Sequence, residues 1–328
     1  MEQILHKTLI IRFSSVGDIV LSSLLIRCIR NRFPECQIDY LVRSEYADLV
    51  RHNPRLSRIL EFPAGGTFRD LTRLRRSTRN AGYDLIIDIH DSLRSRFLCF
   101  GRRNVVRLRK RKFARFMLVR FKIDLYHLFG GSPSVAVRYL EPLASYGVAD
   151  DGGGLEIGIS PAASDAVDTL LQKTGVAAGI RIIGVCPSAQ HATKIWPADR
   201  FAEVAARLAA ETPAAIALFG TAQEQPACEQ VARHVRSTSP LAAVLNFAGT
   251  LTLAETVAMI ARCELILCND TGLMHVAAAC KRKVVAVFGS TVRQFGFYRS
   301  VRKLPLMSNH CFKPSTIPLM QPSSRRRV

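Results

Sequence analysis

The chain has 328 residues, with 46 Lys and Arg against 26 Asp and Glu, for a formal charge of +20 at pH 7. At 48% hydrophobic and 22% charged it has the composition of a soluble globular protein, which excludes disorder throughout, collagen-like repeats and a small disulfide scaffold. The length predicts about two domains on the prior of roughly 100–200 residues each, and the positive excess points to anionic partners: nucleic acid, anionic lipid or phosphorylated substrates.

In the first half, residues 8–13 form a short β-rich apolar run, followed by a Ser-Ser-Val-Gly turn and an amphipathic stretch over 18–33. The pattern repeats as a strand at 37–42, a helix from Ser44, a strand at 58–62, a helix at 68–80 and a strand at 84–89. Alternating strands and helices predict a parallel sheet covered on both faces. Residues 148–160 bring three consecutive glycines between apolar blocks and read as a linker. A second series then runs as strands at 181–186, 214–219, 243–247, 264–268 and 284–288, with helices at 199–211, 224–235, 253–262 and 272–280 between them. The fold class expected is α/β, with two Rossmann-like domains, 1–150 and 151–304, facing across a cleft. Residues 305–328 carry four prolines and end Ser-Ser-Arg-Arg-Arg-Val, predicting an irregular basic tail.

Several chemistries lack their signatures. There is no G-x-G-x-x-G after a strand, no G-x-x-x-x-G-K-[ST], no G-x-S-x-G, no H-E-x-x-H and no Asp-x-Asp. Neither a cofactor nor a metal is therefore expected. The nine cysteines form no C-x-x-C pair and lie mostly in apolar runs, and an odd number fits a reducing compartment. Met1-Glu2-Gln3 lacks the basic start of a secretory signal, and Arg12 and Asp18 interrupt the apolar run over 9–26. A cytoplasmic protein is expected.

Four strand-to-helix loops carry the polar groups. In Ser14-Ser15-Val16-Gly17-Asp18, Gly17 permits close backbone approach, and Asp18 reads either as a carboxylate over the cleft or as a helix cap. Thr193-Lys194-Ile195-Trp196-Pro197 presents a lysine suited to a diphosphate, or one that is merely solvated beside a packed indole. In Asp270-Thr271-Gly272-Leu273-Met274-His275 a capped helix start suits a phosphate, with His275 one turn in; the plain alternative is a capped helix with a buried histidine. Glu224 reads as an acid for ribose hydroxyls or as an ordinary acidic helix start. All four loops lie at the carboxyl edge of a predicted sheet, so all project toward one cleft.

Taken in order, these motifs resemble those of the heptosyltransferases of glycosyltransferase family 9, over roughly residues 8–297. The resemblance implies a GT-B fold, with the acceptor held by the first domain and an ADP-heptose donor by the second. The implied reaction is inverting, metal-independent heptosyl transfer to an inner-core lipopolysaccharide at the cytoplasmic face of the inner membrane. By motif match Asp18 is the general base and Lys194 the lysine on the donor diphosphate. Thr193 and Glu224 belong to the donor side, and Asp270, Thr271, Gly272 and His275 to the phosphate turn. Ser14, Ser15, Gly17, Arg94 and Arg96 fall on the acceptor side. Two features depart from the family: the run from Gly289 lacks its proline-rich segment, and Cys311 lacks companion cysteines.

Residues 92–123 contain twelve Lys or Arg and no acidic residue, interleaved with Phe97, Phe100, Phe113, Phe116 and Phe121. This composition predicts a surface for an anionic, lipid-linked saccharide acceptor and for peripheral contact with an anionic membrane. No standard nucleic-acid recognition motif accompanies the charge, so nucleic acid is not the expected partner. A family member using another nucleotide sugar, a basic nucleic-acid-binding protein and a noncatalytic nucleotide-sugar binder are the alternatives.

Overall fold

The computed structural model describes residues 4–297 except 109, 110, 130, 132, 178 and 212, so the expected tail over 305–328 and Cys311 lie outside the described residues. The first half runs β1 (Lys7–Ile11), α1 (Val16–Leu21), α2 (Ser23–Arg32), β2 (Gln37–Arg43), α3 (Asp48–Arg51), β3 (Arg58–Phe62), α4 (Phe68–Asn80), β4 (Leu85–Asp88), α5 (Leu93–Cys99), β5 (Val105–Arg107), α6 (Lys112–Phe121) and α7 (Val135–Arg138). The second runs α8 (Pro161–Lys173), β6 (Arg181–Cys186), α9 (Ala198–Glu211), β7 (Ala214–Leu218), α10 (Gln225–Thr238), β8 (Val244–Asn246), α11 (Leu253–Arg262), β9 (Leu265–Asn269), α12 (Gly272–Ala279) and β10 (Lys283–Val287).

The strands form two five-stranded parallel sheets, in the orders β3-β2-β1-β4-β5 and β10-β9-β6-β7-β8. The inner strands, buried on both faces, read as continuous apolar runs, as in the burial of all five residues of Ala214–Leu218. In each sheet the strand order reverses beside the first strand, between β1 and β4 and between β6 and β9. Such reversals leave a crevice at the carboxyl edge. The loops after β1, β6 and β9 are those that carry Asp18, Lys194 and Asp270.

Differences from expectation are local. The helix expected over 18–33 is two helices meeting at Ser22, whose hydroxyl donates to Ile19 O at 2.7 Å and shares a hydrogen bond with Tyr40 Oη at 2.8 Å. The helix expected from Ser44 is one 3-10 turn and the four-residue α3. Strand β5 and helices α5, α6, α7 and α8 are additional. Three-residue β5 lies among arginines that mask its β signal, whereas α8 begins at Ser160 and Pro161, a regular helix start just beyond the glycine run.

The two sheets do not belong to separate cores. One apolar cluster runs from Ile10, Leu25 and Tyr40 through α7 and α8 to Met259, Ile266 and Met274, so it is continuous from lobe to lobe. Smaller clusters cover the opposite face of each sheet. Eight free cysteines, all buried, lie among the described residues, and burial pushes the Cys268 thiol up to about 12.

The first lobe is also tied to the interlobe segment by buried Arg27 of α2. Its guanidinium donates to both oxygens of Asp151, at 2.7 Å each, and to Glu156 at 3.2 Å. The hydrogen bonds from Arg27 hold the Asp151 carboxyl down at about 2. Because this pKa is depressed in the folded state, the stabilisation is complete above the unfolded value of about 4 and disappears as pH falls toward 2. Asp151→Asn should flatten the acid limb of thermal stability between about pH 4 and pH 2, whereas the native chain loses melting temperature through that window. An identical acid limb in both proteins would contradict the assignment.

Candidate active site

A cleft of about 1000 Å³ opens where the carboxyl edges of the two sheets face each other. Its walls include Ser15, Gly17 and Asp18 from the first lobe and Lys194, Glu224, Asp270, Thr271, Gly272 and His275 from the second. The contact that sets its floor is between two glycines at helix starts. A Cβ on Gly17 would meet His275 Cδ2 at 2.8 Å and Gly272 Cα at 3.4 Å, and a Cβ on Gly272 would meet Val16 Cβ at 2.9 Å and Gly17 N at 3.1 Å. The first turns of α1 and α12 therefore approach as closely as bare backbone allows.

Asp18 lies in the first turn of α1. No backbone amide among the described residues bonds to its side chain, so the helix-cap alternative is not what is formed. Its Oδ2 pairs with the Arg12 guanidinium and accepts from Ser15 Oγ at 3.2 Å, and its Oδ1 accepts from Tyr139 Oη at 3.0 Å. Arg12 is anchored by donating to Ser14 O at 2.7 Å and Ile89 O at 2.8 Å. Burial opposes the charge on Arg12, but the Asp18 carboxylate works against it, and the pKa of Arg12 is raised. Burial drives the Tyr139 pKa well above the usual phenol range, so Tyr139 remains a donor at physiological pH.

Across the cleft, Lys194 Nζ sits 2.7 Å from Asp270 Oδ2, and the same oxygen accepts from Thr291 Oγ1 at 2.6 Å. Lys194 is thus held over the adjacent loop and half-buried, unlike a freely solvated lysine. The Asp270 carboxylate serves that lysine, leaving backbone amides as the donors of the turn. Thr271, the N-cap of α12, makes no side-chain cap bond. Asn269 at the end of β9 fixes the two loops together, accepting from Trp196 N at 2.9 Å and donating to Pro187 O at 3.0 Å. His275 is buried, and its Nδ1 has no partner among the described residues. Burial lowers its pKa to about 4, against Asp270 and Asp18, which raise it, so the imidazole is neutral at physiological pH.

Not every expected residue reaches the cleft as a side chain. Glu224 lines it, but its Oε2 is committed to a capping box, accepting from Thr221 N at 2.8 Å and Thr221 Oγ1 at 3.1 Å. The Thr193 side chain is not among the cleft walls; its carbonyl accepts from Ser290 N at 3.2 Å and its hydroxyl pairs with Ser290 Oγ at 3.2 Å. Ser14 contributes its carbonyl to Arg12. Arg94 stacks over the Phe62 ring at 6.0 Å and Arg96 pairs with Asp91 at 2.8 Å, both outside the cleft wall.

The comparisons with known proteins agree with this architecture. The family model described as glycosyltransferase family 9 (heptosyltransferase) matches residues 71–304. The chain belongs to glycosyltransferase family 9. It is 32% identical over 297 residues to lipooligosaccharide heptosyltransferase 2 of Haemophilus influenzae, covering 88% of this chain and 84% of that one. Its fold is similar to the crystal structure of a family 9 glycosyltransferase from Veillonella parvula, with a TM-score of 0.75 at 22% identity, covering 91% of this chain and 85% of the other. It is likewise similar to Escherichia coli ADP-heptose lipopolysaccharide heptosyltransferase II, with a TM-score of 0.68 at 23% identity and coverage of 92% and 91%. The two facing parallel α/β sheets are thus a GT-B fold, and the protein is a glycosyltransferase.

Reasoning from sequence missed Arg12, Tyr139, Asn269 and Thr291 in this family 9 enzyme. Arg12 carried a signal, a lone cation ending an apolar strand next to the Ser-Ser-Val-Gly turn. Tyr139 carried none, since it is 121 residues from the carboxylate it touches. Because Gly17 has no room for a methyl group, Gly17→Ala should lower stability by about 1–3 kcal/mol through overpacking. The same substitution should cut turnover at least tenfold by separating the lobes. Wild-type melting and turnover in this variant would show that the glycine contact is dispensable.

Proposed function

We propose that the protein transfers heptose from ADP-heptose to an inner-core lipopolysaccharide acceptor by a single inverting displacement that needs no metal. The observation that carries this reading is the meeting, across one cleft, of a carboxylate from one lobe and a lysine with a bare helix start from the other. Asp18 takes the proton of the acceptor hydroxyl as that oxygen attacks the anomeric carbon from the side opposite the leaving ADP. A carboxylate is a weak base, so proton transfer accompanies bond formation, which acidifies the hydroxyl. Arg12 and Ser15 occupy Oδ2, and Tyr139 takes a single bond on Oδ1, leaving Oδ1 the oxygen with the freer lone pair.

Charge gathers on the departing diphosphate, and Lys194 with the amides of the first turn of α12 supplies the compensating positive potential. Asp270 and Thr291 aim Lys194, and neutral His275 offers a hydrogen bond without adding charge. Glu224 faces the ribose with Oε1, the oxygen its capping box leaves without a partner among the described residues. Lys194 and the amides at the start of α12 supply positive potential where a divalent ion would otherwise be required, which supports metal-independent transfer.

The acceptor and the enzyme meet at an anionic membrane surface on the cytoplasmic side. Phe113, Phe116 and Phe121 on α6 are 67%, 57% and 53% exposed, interleaved with the cationic Lys112, Arg115 and Arg120. No helix among the described residues is long and apolar enough to cross a membrane.

Purified protein incubated with ADP-heptose, truncated lipopolysaccharide acceptors and excess EDTA should yield a heptosylated product by mass spectrometry, with inverted configuration at the new linkage. Asp18→Asn should lower kcat by about 10²–10⁴ with little change in ADP affinity. A near-native rate in that variant would remove Asp18 as the base. Lys194→Ala should weaken ADP binding in calorimetry and raise the barrier by about 3–4 kcal/mol, as for a lost oxyanion donor. Unchanged affinity and turnover would remove the diphosphate role.

A further inference from the structure

A second cavity, of about 350 Å³, lies in the first lobe between the start of α4 and the start of α5, separate from the cleft. Phe62, Phe68, Leu71, Leu93 and Phe97 line it, and Arg94 forms its rim. Its volume is at the small end of ligand sites, and the only charged side chain in its wall is the Arg94 guanidinium. The apolar groups at its mouth are left in water: Leu93 is 87% exposed and Phe68 67%. Isolated exposed apolar residues need no explanation, but two that flank an apolar hole mark a binding surface.

The surroundings specify the sign of the occupant. Arg94 on α5, at the rim, is exposed and has no acidic partner within 4 Å among the described residues. Arg75 stacks against the Phe97 and Phe100 rings at 4.9 and 5.7 Å, so the cationic and aromatic groups form one continuous surface. Gly66 and Thr67 complete the wall, and the Thr67 hydroxyl is committed to Asp70 at 2.7 Å, so the hydroxyls and phosphates of a saccharide or nucleotide would find few polar partners inside. The hole accepts a hydrocarbon chain, while the rim accepts the anion attached to it.

The position links the cavity to the site. Phe62 ends β3 and Leu93 begins the helix after β4, so the cavity opens at the same carboxyl edge as the Asp18 loop. The Phe13 ring, one residue before Ser14, packs edge-on against Phe62 at 5.6 Å and thereby joins the cavity wall to that loop.

We propose that this cavity takes one acyl chain of an anionic membrane phospholipid, with Arg94 on the phosphate, and so anchors the acceptor lobe to the bilayer. The inference deepens the membrane-contact reading given above and rests on it. Unlike the exposed face of α6, which would lie on a surface without selecting a lipid, a cavity binds single lipid molecules and senses chain length.

Calorimetric titration of the full chain with short-chain phosphatidylglycerol, held below its micellar threshold, tests this. One saturable site is expected for the dioctanoyl lipid, with at least tenfold weaker binding of the dihexanoyl lipid, since each buried methylene is worth about a fourfold gain. Glycerophosphoglycerol without chains should not saturate, and dioctanoyl phosphatidylcholine should bind at least tenfold more weakly. Leu93→Asp and Phe68→Asp, both at exposed positions, should each reduce dioctanoyl phosphatidylglycerol affinity at least tenfold while leaving heptosyl transfer to a deacylated, soluble acceptor unchanged. Equal affinity for both chain lengths, saturation by the headgroup alone, or native affinity in both variants would overturn the cavity assignment and leave the transfer reading intact. Absence of transfer to the soluble acceptor by the native protein would instead overturn the transfer reading, whatever the lipid titration gives.

Discussion

How closely the candidate site residues of the two lobes approach depends on the absence of two side chains, at Gly17 and Gly272. The helices after β1 and β9 start within backbone contact of each other, which puts the Asp18 and Asp270 loops on opposite walls of one cleft. Parallel sheets deliver polar loops to their carboxyl edges as a matter of topology. What topology does not determine is how near the two edges lie, and here that is decided by the sterics of a missing Cβ. His275 completes the seam, its ring filling the space that any larger residue at position 17 would occupy.

The two walls are wired in the same way. Each holds a carboxylate paired to a cation and steadied by a hydroxyl: Asp18 with Arg12 and Tyr139, Asp270 with Lys194 and Thr291. The functional ends are reversed. On the first lobe the carboxylate faces the cleft and the cation is buried behind it, whereas on the second the carboxylate is buried and the lysine is the more exposed partner. Opposite polarity across a narrow gap suits a reaction in which a proton leaves one reactant while negative charge builds on the other.

Much of this was legible in the sequence because the signals are local. Apolar runs followed by Ser-Ser-Val-Gly-Asp or Asn-Asp-Thr-Gly mark strand ends and helix starts, and nine of the ten strands produced a readable run. Strand β5 did not, because three residues between arginines carry no period. Tyr139 and Thr291 were invisible for a different reason: each acts on a carboxylate far away in the chain, and only packing discloses the pairing. The alternatives open at Glu224 also had a physical source. A carboxylate at a helix start satisfies the capping rule whether or not it faces a ligand, and in the structure Glu224 both caps its helix and lines the cleft.

The continuous apolar cluster that runs between the lobes has a bearing on how such a chain can diversify. Where two lobes touch only through a linker, either can be exchanged for a relative's and still fold. Here a transplanted lobe would arrive with a cut face of hydrocarbon and a mismatched glycine seam, and would have to bring its partner's complementary surface with it. The loops at the sheet edges, by contrast, can change without disturbing that shared interior.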